Sequence, residues 1–217
     1  VVAPSEVIKK YGSEILRLWV ALSDFTMDVK ISDEILKQIA EQYRKLRNTT
    51  RFLLANIGDL ETVMDVNELG ELDRWIVAQA KEVFDEAKIA FDNYDFGKAF
   101  HRINNFLTVE LSGIYMDLSK DRLYCDGLDS ASRRSSQSAM FYIARTLIGT
   151  VAPVLTYTMD EAFDHAPKVL KGDCTDIFDF VTHKIPDVTS TLDTTYLKSV
   201  RDAFSTEVDA LKKEGKI

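Results

Sequence analysis

Apolar residues recur every three or four positions through most of the chain, which is the spacing of one face of an α-helix. The clearest case runs from Ile31 to Gly58. Ser32 suits the N-cap and Gly58 follows the last apolar residue, so both ends are predicted. The apolar stripe holds Ile35, Ile39, Tyr43, Leu46, Thr50, Leu53 and Ile57, and the opposite side holds Arg44, Arg47 and Arg51. One side of this helix is expected to pack and the other to meet solvent or anions.

The same spacing predicts further helices joined by polar segments. They are expected at about 4–12, 13–22, 72–94, 95–118, 133–152, 160–166 and 192–214. The segment 13–22 is apolar nearly all round, which predicts a buried helix. In 95–118 the stripe expected to face the core is Phe100, Ile103, Leu107, Leu111, Ile114 and Leu118. The chain is therefore predicted to be all-α, an up-and-down helical bundle.

Composition fits a helical globular protein of 217 residues, 46% hydrophobic, with 9 Gly and 4 Pro. The core needs neither metal nor disulfide. Cys125 and Cys174 stand far apart without a C-x-x-C pair, so they are interpreted as free thiols in a reducing compartment. No apolar run has membrane-spanning length and no signal-peptide pattern occurs. A soluble cytoplasmic protein without membrane contact is expected.

The net charge of −8 argues against a protein that coats nucleic acid without specificity. Any RNA contact must be local, and the segment 37–51 offers five basic residues against one acid. Such charge runs are usually solvated helix faces, so both interpretations stay open. Tyr43 and Phe52 flank the basic side and could stack on an unpaired base. Tyr43 also lies on the apolar stripe, so a core role competes.

Motifs of catalysis or metal binding are absent from the sequence. It contains no P-loop, no G-x-G-x-x-G, no H-E-x-x-H and no G-x-S-x-G. His101, His165 and His183 have no Cys, His or carboxylate partner at ligand or triad spacing. No pair of Glu-x-x-His motifs is present for a carboxylate-bridged metal pair. The sequence therefore predicts no catalytic residue and no metal ligand.

Several runs of residues go beyond helical spacing. They are YRKLRNTTRFLL preceded by SDEIL, then LDRWIVAQAKEVFDEAKIAFDNYDFGKAFHRINNF, MDLSKDRLY, RRSSQ and VAPVLTYTMDE. These runs resemble the bacterial-type isoleucyl-tRNA synthetases, a class I family, over nearly the whole chain. The first run is the most specific, because the valyl and leucyl relatives differ there.

The resemblance implies a helical bundle of the class I anticodon-binding type. By this resemblance, 1–23 would end the catalytic-domain and stem-contact segment, 24–170 would form the anticodon-binding bundle, and 171–217 would begin a C-terminal region with a long terminal helix. The parent enzyme would activate isoleucine with ATP and Mg²⁺ and charge tRNA(Ile), whereas this part would hold the tRNA and need no cofactor. A zinc module, if the parent has one, would lie beyond Ile217.

The expected partner is the anticodon stem-loop of tRNA(Ile), bound by a monomer. By resemblance Arg47 and Asn48 face the anticodon loop with Tyr43 one turn earlier, and Arg44 and Arg51 suit backbone contacts. Four further residues match family elements and have either a structural or a phosphate-binding role, namely Lys120, Arg122, Arg133 and Arg134. The alternatives are the same domain of a valyl-tRNA synthetase and a helical scaffold that binds protein through an apolar face.

Overall fold

The computed structural model describes residues 2–180 and 184–216, and these residues form helices and connections without a strand. His183 lies outside the described residues. The helices are α1 (Pro4–Tyr11), α2 (Ser13–Leu22), α3 (Asp33–Asn56), α4 (Glu71–Asp92), α5 (Phe96–Phe106), α6 (Met116–Tyr124), α7 (Ala131–Val151), α8 (Thr156–Asp164), α9 (Lys168–Lys171) and α10 (Thr194–Lys213). A π-helical segment (Leu107–Tyr115) joins α5 to α6 in one continuous rod. The all-α prediction is confirmed.

The long helix α3 begins where the sequence predicts. The Ser32 hydroxyl accepts a hydrogen bond from the Ile35 amide at 3.2 Å, which is an N-cap contact. The helix ends at Asn56, two residues before Gly58. There the Asn56 carbonyl accepts a hydrogen bond from Gln137 Nε2 on α7 at 2.8 Å. A tertiary contact thus satisfies a carbonyl that a helix end leaves free.

The core is centred on α7. This helix contacts α3, α4, α6 and α8, while α4 packs along α5. Its fully buried residues include Met140, Ile143, Leu147 and Ile148. The predicted stripe of α3 faces this core, with Ile39, Leu46, Thr50, Leu53 and Ile57 buried and Ile35 and Tyr43 half-buried. The basic side of α3 is left on the surface.

The rod formed by α5, the π segment and α6 departs from the predicted face. Ile114 is half-buried and packs against the core, whereas Leu118 is 53% exposed, so the prediction of Leu118 as a core residue is wrong. Tyr115 and Ser119 are fully buried instead. A π-helix bonds residue i to i+5, so each turn takes up about one more residue than an α-turn. The inward-facing positions are therefore shifted by one residue after Leu111.

The composition of 13–22 predicts a helix buried on all sides, but α2 is buried on one side only. Ile15, Leu18 and Ala21 are buried, whereas Val20 is 60% exposed. The elements that contact α2 are α1, α3, α5 and α8. These neighbours cover one side of the helix, so Val20 faces outward.

The C-terminal part agrees with the predicted terminal helix. The Asp193 carboxylate accepts a hydrogen bond from the Thr195 amide at 2.8 Å at the start of α10, and Gly215 follows its end with φ +69°. Only glycine adopts this left-handed conformation without a steric cost. The helix α8 begins four residues before the predicted start, at Thr156. The predicted domain boundaries at 23 and 170 stay predictions.

A buried carboxylate connects α4, the π segment and α7. Asp73 is inaccessible to solvent. It accepts hydrogen bonds from Tyr115 Oη at 2.6 Å, Ser135 Oγ at 2.6 Å, Ser136 Oγ at 3.1 Å and Arg122 Nη1 at 3.3 Å. These partners compensate the cost of removing a charge from water. The shifted register of the π segment is what brings Tyr115 into this cluster.

Replacing Tyr115 by Phe is expected to lower the free energy of unfolding by about 1–3 kcal/mol, since the buried carboxylate loses one donor. Urea denaturation monitored by circular dichroism measures this change. The control is Tyr124→Phe, whose side chain is exposed and whose effect should stay within about 0.5 kcal/mol. Equal effects of the two substitutions would contradict a stabilising role of the Tyr115 hydroxyl in the Asp73 cluster.

Alkaline pH should destabilise the wild-type protein through Tyr115. Burial, together with the nearby Asp73 charge, raises the pKa of this phenol well above its ordinary value. In the unfolded chain the phenol loses its proton at about pH 10, the ordinary pKa of tyrosine. The stabilisation from Tyr115 is therefore complete below about pH 10 and is lost as the pH rises further. The free energy of unfolding should fall less steeply above pH 10 in Tyr115→Phe than in the wild type.

Candidate nucleic-acid interface

The surface side of α3 presents a row of polar residues, Arg44, Asn48 and Arg51. Their spacing of three and four residues places them on one face, and all three are exposed. Arg44 Nη2 lies 2.7 Å from Glu41 Oε1 on the same helix. Arg51 makes no ion pair with any residue that the structure describes. The row therefore carries a guanidinium group available to an anion.

Arg47 lies beside this row and is directed toward α8. Its Nη2 donates to Glu161 Oε2 at 3.1 Å and to Oε1 at 3.4 Å. The two side chains are 52% and 57% exposed. An exposed ion pair contributes about 0.2–1 kcal/mol, so an incoming polar group can replace it at small cost.

The Tyr43 side chain of α3 contacts α8. Its hydroxyl lies 2.9 Å from Thr158 Oγ1, and its ring is half-buried against the core. The Thr158 amide donates to Glu14 Oε2 at 3.4 Å, which adds α2 to this contact. The sequence had left Tyr43 between a core role and base stacking, and the structure shows the packing role. Its contact with RNA stays a prediction.

Two cavities flank the exposed row. A cavity of about 330 Å³ lies between α3 and α8 and is lined by Arg47, Arg51, Leu54, Ala55, Glu161, Ala162 and His165 with two threonines. A cavity of about 380 Å³ lies between α3 and the π segment and is lined by Lys45, Asn48, Thr49, Phe52, Leu107, Thr108, Ser112 and Met116. Arg47 and Asn48 are adjacent in sequence but line different cavities. The two residues predicted to face the anticodon loop therefore lie at two different cavities.

The four additional candidates take part in ion pairs within the chain. Arg133 is 11% exposed and forms a two-pronged contact with Asp59, at 2.7 Å for Nη1–Oδ2 and 3.0 Å for Nη2–Oδ1. Arg134 Nη1 also binds Asp59, at 3.2 Å. Arg122 belongs to the Asp73 cluster, and exposed Lys120 pairs with Asp117 at 2.7 Å. The structural role is observed for the three arginines, and RNA contact by all four residues stays a prediction.

Helical spacing does not indicate that Glu161 and His165 face the basic helix. They stand 114 residues or more from Arg47, and helical spacing carries no information about such a distance. The feature of the sequence that fits this contact is charge complementarity, since Glu161 is the acidic last residue of VAPVLTYTMDE. Among residues 2–180 and 184–216, no group of three or more His, Cys, Asp or Glu side chains is arranged to hold a metal ion. Within the same residues, no helix has the length and apolarity to span a membrane.

Comparison with known proteins identifies the family. A family model described as the anticodon-binding domain of tRNA ligase matches residues 73–217. The chain belongs to this family. The match begins inside α4, so the helix with the exposed basic row lies outside the matched range of the anticodon-binding domain.

Similarity to curated relatives covers α3 as well. The chain is 58% identical over 214 residues to an isoleucine-tRNA ligase of Nitratiruptor sp. and 59% identical over 214 residues to one of Nautilia profundicola. Each alignment covers 99% of this chain and 23% of the relative, so the chain spans about a quarter of their length. The resemblance to isoleucyl-tRNA synthetases is confirmed.

A solved structure supports the fold. The LeuRS of Agrobacterium radiobacter, in a ternary complex with tRNA and LeuAMS, superposes with a TM-score of 0.60 at 12% identity. The alignment covers 98% of this chain and 28% of that chain. The helical bundle predicted for the anticodon-binding domain is therefore confirmed as the fold class.

Replacing Asp59 by Asn should lower the free energy of unfolding at pH 7 by about 1 kcal/mol. This is less than the roughly 1.5–3 kcal/mol of hydrogen bonds to charged groups, because Asp59 is 44% exposed. Arg133, with Gln137, holds the pKa of Asp59 well below its usual range. The contribution is thus present above about pH 4 and is lost as the pH falls through the folded-state pKa. Urea unfolding at pH 7 and pH 3 should show the difference from wild type shrinking, and Asp117→Asn is the exposed control.

Proposed function

We propose that this chain is the anticodon-binding part of an isoleucine-tRNA ligase and that it holds the anticodon stem-loop of tRNA(Ile) on the exposed side of α3. Membership of the anticodon-binding family and the identity to isoleucine-tRNA ligases support this function. The relatives named above are isoleucine ligases, which favours isoleucine over valine. The whole enzyme would join isoleucine to tRNA with ATP and Mg²⁺, and this part would act in the cytoplasm as a monomer without a cofactor.

The observation that carries the proposal is the exposed row on α3 between two cavities. The chain has a net charge of −8, so RNA is repelled by most of its surface and attracted where cations are local. Arg51 suits the phosphates of a loop, and the Arg44–Glu41 pair lies beside it on the same face of α3. The cavities offer space for unstacked bases, which is how proteins usually read single-stranded RNA loops.

The direct test is a titration of the 217-residue chain with fluorescent anticodon stem-loops of the isoleucine and valine tRNAs at several salt concentrations. We expect tighter binding of the isoleucine stem-loop. The logarithm of the association constant should fall by about 0.7–0.9 per contacted phosphate as the logarithm of salt concentration rises.

Arg47→Ala is expected to weaken binding of the isoleucine stem-loop about tenfold, within the range of about 1–3 kcal/mol for a base-reading arginine. The matched control is Lys88→Ala on α4, which removes the same charge from an exposed pair with Asp92. Equal affinity for both stem-loops, with Arg47→Ala behaving like the wild type, would contradict the proposal. A helical protein-binding scaffold predicts no RNA binding in either measurement.

A further inference from the structure

We propose that Glu161 determines which part of the RNA Arg47 binds. The carboxylate excludes phosphate from Arg47 and directs this guanidinium to the edge of a nucleobase, while Arg51 takes the phosphate. The inference rests on the proposed function and deepens it. It adds a specificity-determining residue that acts on the cavity between α3 and α8.

Opposite charges lie close together on the wall of this cavity. Glu161 Oε2 lies 3.1 Å from Arg47 Nη2, so an anion bound to Arg47 would also lie next to a carboxylate. Like charges at such separations repel. The edge of a neutral base carries both acceptors and N–H donors, so it can accept from the guanidinium and donate to the carboxylate. The pair therefore suits a base better than a phosphate.

Arg51 provides the contrast within the same cavity. It lines the space together with Arg47, and it has no acidic partner among the described residues. The Glu161 carboxylate of the same cavity is paired with Arg47, so the Arg51 guanidinium is the one that can receive a phosphate. A nucleotide can thus place its base against Arg47 and Glu161 and its phosphate against Arg51.

The remaining walls of the cavity also fit a flat base. Its volume of about 330 Å³ lies at the lower end of the range of about 300–1,000 Å³ for small-molecule sites. Leu54, Ala55 and Ala162 supply apolar surface, and the exposed His165 ring lies at the same cavity. Histidine is one of the rings on which unstacked bases are held in RNA complexes.

The experiment uses Glu161→Gln in the 217-residue chain. Glutamine keeps the size of the side chain and removes its charge. The probes are the isoleucine anticodon stem-loop and a set of stem-loops with single-base replacements in the loop, each titrated at several salt concentrations. Two quantities are measured: the ratio of affinities between the original and replaced loops, and the dependence of affinity on salt.

In Glu161→Gln we expect the affinity ratio at one loop position to fall about tenfold, the discrimination of one good base contact. The slope of log affinity against log salt should steepen by about 0.7, because Arg47 becomes available to one more phosphate. The control Glu41→Gln makes the same change in net charge beside Arg44, outside this cavity. It should leave the affinity ratio unchanged.

Two results would overturn the inference. A uniform gain in affinity for every loop, with the ratio unchanged, would mean that Glu161 acts only through net charge. Unchanged ratio and slope, with the wild-type preference intact, would mean that Glu161 only ties α8 to α3. These outcomes leave the proposed function standing. Failure of the wild-type chain to bind any stem-loop would overturn the proposed function and the inference together.

Discussion

The rest of the bundle depends on how the buried charge of Asp73 is compensated. A carboxylate without access to water is tolerated only when several donors surround it, and here they come from the π segment, α6 and α7. The first turn of α4 is thereby fixed to three other segments at one point. Because α3 packs on both α7 and the π segment, its position follows from this cluster.

The two sides of α3 are positioned by different contacts. On one side α8 is held by Tyr43 through Thr158, and Arg17 of α2 donates to the Val154 and Pro153 carbonyls just before α8 at 2.7 and 2.9 Å. On the other side the π segment is held by Asp73. Each cavity thus has one wall from α3 and one from an independently anchored element. Asp59 and its arginines also hold the chain just after the C-terminal end of α3 against α7.

Helical spacing and capping chemistry were sufficient to predict most helices and the inner stripe of α3, since both are local properties of the sequence. They failed at Leu118, because nothing local in the sequence distinguishes a π turn from an α turn. The basic side of α3 could be predicted from charge, whereas the RNA-binding role of Arg47 and Asn48 rests on family resemblance and stays a prediction. Their separation into two cavities could not be predicted, because it depends on α8 and the π segment, which are distant in sequence.

The π segment has a consequence for how this rod tolerates changes in length. A π turn closes its hydrogen bond around one more residue than an α turn, so it is the form in which a continuous helix accommodates a single inserted residue. From Tyr115 at the end of the π segment onward, the chain is rotated relative to α5 by that one residue, and this includes Ser119 and Arg122. The rod therefore consists of two helices of different phase, and the change of phase is what brings Tyr115 and Arg122 to Asp73.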